Sequence, residues 1–200
     1  NTTLTLTSGN LDISNKVLTM GTSANAISGT FSSTRMIIAD GGGEVRKSAT
    51  SNASATYTFP IGDSVSSSDG ADFSPISLTV TGSAYSSAYV SVSLNDSKHP
   101  NNSSTTNYLT RYWNVIQSGI TGCTATVTGT YINAVSDVAG TLGSIKAAQL
   151  NGTFNVSSNP WVKTGGSVLS GTTLTYTGAS LTAGQVSVFT GITGADPTVS

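Results

Sequence analysis

Charge is what this sequence has least of. Asp, Glu, Lys and Arg make up 8% of 200 residues, with a formal net charge of −1. An ordinary soluble domain carries about a quarter. The eight Lys and Arg are scattered, and only Arg46 and Lys47 are adjacent. No basic stripe exists to displace counterions from a phosphate backbone, which argues against nucleic-acid binding. Glu44 is the sole glutamate and His99 the sole histidine. A lone His with no second His or Cys set beside it makes no zinc site. Gly-x-Ser-x-Gly and Gly-x-x-x-x-Gly-Lys-Ser/Thr are both missing, and no pair of carboxylates stands out for glycoside hydrolysis. The chain therefore reads as a non-enzyme. Cys123 is alone, so no intrachain disulfide can form, and it reads as a small core residue. No apolar run approaches the ~20 residues of a membrane-spanning helix, so no membrane insertion is expected.

Ser, Thr, Gly and Asn take the place of charge. Hydrophobic residues make up 36%, enough for a core but thinly spread. The pattern is one of many short strands broken by Gly, Ser and Asn turns. Leu4 and Leu6 alternate with Thr3, Thr5 and Thr7, the period of a half-buried strand. Leu11–Ile13, Val17–Met20 and Arg35–Ala39 repeat that unit loosely, and Asp40-Gly41-Gly42-Gly43 reads as a turn into a returning strand, Glu44–Lys47. From residue 55 longer strands are expected at Ala55–Phe59, Ile76–Thr81, Ser83–Asn95, Tyr108–Ile116, Cys123–Ile132, Ser144–Leu150, Thr172–Tyr176 and Gln185–Ile192. Tyr108–Ile116 is the most aromatic of them. Leu109, Arg111, Trp113 and Val115 share one of its faces, and large side chains on both faces mark a central strand. The expected fold is all-β: a β-sandwich of Ig-like or jelly-roll-like kind. It comprises an N-terminal run of short strands and hairpins (1–54) and the sandwich proper (55–200), in one compact unit.

An ordered series of motifs carries a resemblance. Gly9-Asn10-Leu11-Asp12-Ile13, Arg35-Met36-Ile37-Ile38-Ala39-Asp40-Gly41 and Gly43-Glu44-Val45-Arg46-Lys47 come first. Phe59-Pro60-Ile61-Gly62-Asp63, Phe73-Ser74-Pro75-Ile76, His99-Pro100 and Leu109-Thr110-Arg111-Tyr112-Trp113 follow. Together they resemble a β-rich module of large secreted and surface proteins of the Bacteroidetes, often exported by the type IX route. The resemblance runs from about residue 4 to about residue 192. It implies an extracellular, cell-surface, adhesin-like role without catalysis. It also draws attention to Asp63-Ser64-Val65, which is similar to the O-glycosylation site of such exported proteins, with Ser64 the acceptor.

Candidate sites are few. The terminal strands Thr2–Thr7 and Val186–Thr190 carry no Lys, Pro or bulge of the kind that protects sheet edges. Either could pair within its own domain or complete a sheet in another copy, with Leu4, Leu6, Val186 and Val188 as interface residues. The expected function is thus a homopolymeric surface filament or adhesin stalk assembled by β-strand complementation. The alternative is a monomeric adhesion or carbohydrate-binding module, with Trp161 as the candidate contact to surface glycans. Arg111 is expected to be pinned by a carboxylate, and His99 to lie at the surface. No cofactor is expected, although Asp63, Asp69 and Asp72 fall in one Ser/Gly-rich loop that could offer oxygens to calcium.

Overall fold

A computed structural model describes residues 3–21, 26–50, 54–64, 70–132, 136–164 and 168–194. Strands dominate. The one helical element among these residues is a short 3₁₀ turn, Leu142–Ser144.

The N-terminal region holds six short strands: β1 (Leu4–Leu6), β2 (Leu11–Asp12), β3 (Val17–Met20), β4 (Ile27–Gly29), β5 (Ile37–Ile38) and β6 (Glu44–Ala49). The expected hairpins are not what these strands form. β1 pairs with β4, β2 with β5 and β3 with β6, all in parallel. The chain makes one three-sided coil and then lays a second coil upon it. Apolar residues of the first coil sit in register over those of the second: Leu4 over Ile27, Leu11 over Ile37, Leu18 over Val45. Backbone bonds carry the ladder around the corners, from Ile13 N to Ile38 O (3.3 Å), Gly43 N to Ser14 O (2.8 Å) and Glu44 N to Lys16 O (3.1 Å). Asn10 bridges the coils through its side chain, donating to Ser33 O and accepting from Met36 N. Gly43 is required here. A Cβ at that position would stand 2.6 Å from Ser14 O and 2.7 Å from Lys16 O, both main-chain atoms.

The sandwich follows: β7 (Ala55–Phe59), β8 (Ile61–Gly62), β9 (Ile76–Thr81), β10 (Ala84–Asn95), β11 (Tyr108–Leu109), β12 (Tyr112–Thr121), β13 (Thr124–Thr130), β14 (Val138–Ala139), β15 (Ile145–Asn151), β16 (Val162–Lys163), β17 (Thr173–Ser180) and β18 (Val186–Thr193). A seven-stranded sheet has the order β16-β15-β18-β12-β10-β6-β3, and a four-stranded sheet has the order β17-β13-β9-β7. Strands β3 and β6 belong both to the coil and to the larger sheet, so coil and sandwich share one core. The all-β, sandwich-like class is as expected.

Alternation explains how the two sheets meet. Ala125 and Val127 of β13 turn inward, Thr124, Thr126 and Thr128 turn outward, and the inward residues are buried. Trp113, fully buried on β12, lies over Gly129 of the opposite sheet; a Cβ there would stand 2.9–3.0 Å from the indole ring. Tyr176 of β17 meets Phe189 of β18 edge to face at 5.6 Å. Each buried Leu, Ile or Val in this core contributes roughly 1.5–3 kcal/mol. Strand β12 is central in its sheet, as its aromatic content implied. The long strand expected over Tyr108–Ile116 is interrupted at Thr110 and Arg111, where the chain turns Arg111 into the core.

Candidate functional site

Three places carry chemistry. The first surrounds Arg111, fully buried at the break between β11 and β12. Its guanidinium meets four carboxylates: Asp63 at 3.3 Å, Asp72 at 3.1 Å, Asp96 at 3.3 Å, and Asp137 in direct contact. It also donates to Ser74 Oγ. The four aspartates come from three connections, β8–β9 (Asp63 and Asp72), β10–β11 (Asp96) and β13–β14 (Asp137), so one cation ties together the loops at one end of the sandwich. Asp63 and Asp137 are fully buried, whereas Asp72 and Asp96 keep partial access to water. One guanidinium cannot neutralise four carboxylates. Burial outweighs its attraction, lifting the Asp63 carboxyl to about 7 and the Asp137 carboxyl to about 6.

This cluster answers the calcium expectation. Asp63 and Asp72 point at Arg111, so the cation they hold is a side chain; Asp69 lies outside the described residues. No group of three or more His, Cys, Asp or Glu able to hold a metal ion occurs among the described residues. The expectation that a carboxylate pins Arg111 holds, four times over. Ser64, the proposed glycan acceptor, is half-buried. Its backbone N–H and its hydroxyl both donate to Asp40 Oδ2 at 2.8 Å. Val65, the third residue of that motif, lies outside the described residues.

The second place is a groove of about 340 Å³ beside β16, lined by Phe154, Val156, Pro160, Trp161, Lys163 and Ile192. Trp161 is half-buried, and its indole N–H donates to Asn101 O at 2.9 Å. His99 stands edge-on to Trp161 at 5.1 Å and to Tyr112 at 4.8 Å. His99 is half-buried in its surface loop, set between these two aromatic rings, and burial lowers its pKa. Asn102 and Ser104 form the polar side of the groove. Sequence reasoning found Trp161 but missed Phe154 and Val156. They are brought over it by a loop closed by the Asn155–Asn159 backbone pair and by Asn159 Nδ2 on Asn151 O. No apolar periodicity runs through Asn151–Asn159 to signal this.

The third place is the outer edge of the first coil. Leu6 is buried and Leu4 half-buried, and both pack into the coil beside Ile27 and Gly29 of β4. Within one chain, then, Leu4–Leu6 pairs in its own domain; Thr2 lies outside the described residues. The C-terminal strand is not an edge. β18 lies between β12 and β15, with ladder partners on both sides, so its main chain offers no open pairing site. Val188 is buried, and Val186 is 41% exposed on the sheet's surface. The edge character expected of Val186–Thr190 is corrected accordingly: the segment is apolar because it is a central strand.

Compared with family models, with curated proteins and with solved structures, the chain matches none.

Proposed function

We propose that this chain is an extracellular, non-catalytic structural module of a surface filament or adhesin stalk, joined to its neighbour by β-strand pairing at the β1 end. The observation that carries the reading is the outer edge of the first coil. Its three strands, β1, β2 and β3, each have a ladder partner on one side only among the described residues. Asp12 and Lys16 are the only charges from Thr3 to Met20, and proline is absent from that stretch. Soluble proteins ordinarily blunt such an edge with charge, proline or a covering element. The low overall charge and the resemblance to Bacteroidetes surface modules support an extracellular setting. Immunogold labelling of the cells that make the protein, with an antibody against the purified chain, tests this reading. Label on projections beyond the envelope is the expected result. Label confined to the cell interior would overturn it.

A second reading has its own observation. The Trp161 groove joins an aromatic face to the polar groups of Asn102, Ser104 and Lys163, a combination suited to the apolar and hydroxylated faces of a sugar. In this reading the module is the adhesive tip, binding surface glycans. A glycan array probed with the wild-type chain and with Trp161→Ala tests it. Saccharide signals lost in the variant support it, and an array blank for the wild type removes it.

A further inference from the structure

We propose that the edge formed by β1, β2 and β3 is a docking face for another parallel coil, with this chain closing the end of a longer β-coil. The inference deepens the stalk reading, and rests on it, by naming the neighbour. The occupant is a three-sided coil of this same pattern whose trailing edge is free.

Continuity carries the argument. The interface to be formed is the one already present inside the fold. Coil two lies on coil one in parallel, and β8 lies on β5 in parallel after it. Leu4 pairs with Ile27 and Val17 with Glu44, so one coil takes 23 to 27 residues. On the leading side the same pairing groups are presented again. Leu4, Leu11 and Ile13 direct their backbone N–H groups to the second coil. By the alternation of a ladder, Thr5 and Asp12 turn theirs outward. Leu4, Leu11 and Leu18 are only half-buried, while Ile37 and Val45, their counterparts one coil on, are fully buried. The first coil thus leaves half open a layer that β8 and β10 cover over the second.

The trailing side is different, and this decides what the occupant is. β6 is flanked by β10 in antiparallel pairing. β8 is met by Phe73 through an antiparallel bridge at Gly62. A second copy of this chain therefore has no free trailing edge at β6 or β8 to lay on the first coil. Its remaining edges at β4, β7, β16 and β17 are single strands, and its leading edge in a two-fold pair runs antiparallel and closes on itself. A copy thus offers no three-sided trailing edge to match β1, β2 and β3 together, whereas a coil with an open trailing edge fits all three in register.

The test extends the full chain with one more coil, a second copy of residues 1–25 placed ahead of Asn1. Amide exchange at Thr5 and Asp12 of the original coil is compared with that of the unextended protein. Docking is expected to slow both by about tenfold or more and to raise the melting temperature. Thr5→Pro in the original coil removes an outward N–H and leaves the bonds to β4 in place, so it should abolish the slowing without unfolding the protein. A control extension carries serine at the copies of Leu4, Leu11 and Leu18; it should give no slowing, and it replaces Thr5→Pro as the comparison if that variant misfolds. Unchanged exchange on extension would overturn the inference, as would filaments formed by the unextended chain alone. The second result would leave the stalk reading standing, and only the labelling of cells can remove that.

Discussion

Acidification should stabilise this protein, against the usual direction for a fold held together by ion pairs. The perturbation is pH, from 8 to 5. Asp63 and Asp137 have carboxyls lifted to about 7 and about 6 in the folded state, first by burial, with Arg111 opposing. In the unfolded chain both return to about 3.9. Between about pH 4 and pH 7 the folded state binds more protons than the unfolded one, so stability falls as pH rises through that window. The contribution is fully present below about pH 4 and is lost above about pH 7. Each proton of difference changes stability by about 1.4 kcal/mol per pH unit. Over pH 8 to 5 this gives roughly 3 kcal/mol from Asp63 and about 1 kcal/mol from Asp137. The assay is urea unfolding at several pH values, followed by the fluorescence of buried Trp113. Asp63→Asn should remove the larger share of the slope. A flat profile, or stability that falls on acidification from pH 8 to 5, would refute the reasoning and mean that Arg111 holds both carboxylates ionised.

Two further outcomes follow from packing. Gly129→Val should destabilise by about 1–3 kcal/mol, because its Cβ would sit 2.9–3.0 Å from the Trp113 ring and the opposing sheets would have to part; urea midpoints measure this. Cys123 is buried, and burial pushes its thiol up to about 11, so a thiol-specific chromogenic reagent should leave the native protein unmodified at pH 7 and react in stoichiometric amount once urea unfolds it.

What could be read from the sequence is what depends on local pattern. Ala55–Phe59 and Ile76–Thr81 run as strands over the residues expected, because alternation and the Pro60 stop fix them locally. The faces of Tyr108–Ile116 also came out as alternation requires: Leu109, Arg111, Trp113 and Val115 are all buried. The partner of each strand was not legible. Asp40-Gly41-Gly42-Gly43 has the composition of a hairpin turn, yet it forms the corner of a coil, with Gly42 at a φ of +87°. Hairpin and corner need the same glycines. They differ in whether Glu44 finds its neighbour just before the turn or at Val17, and no local signal distinguishes the two. The Arg111 cluster was half legible for the same reason. A charged residue on a buried face demands a counter-charge, which the strand pattern predicts, but four aspartates from three loops are assembled only by the tertiary fold.

The shared strands give the coil and the sandwich a joint consequence. β3 is the last side of the first coil and also the edge strand of the seven-stranded sheet. The direction in which coils stack is therefore the direction in which that sheet adds strands, at about 4.8 Å per step. A coil docked on β1, β2 and β3 would contribute an eighth strand to the sheet, and the hydrogen-bond ladder would run without a break from the neighbour through β3, β6, β10, β12, β18 and β15 to β16. Tension along a stalk would be carried across that ladder, many bonds at once, and not by a single linker. The Arg111 cluster is joined to the same path: Asp63 follows β8 of the coil, and Arg111 precedes β12 of the sheet. Coil and sandwich are thus tied twice, by a shared sheet and by a buried ion cluster.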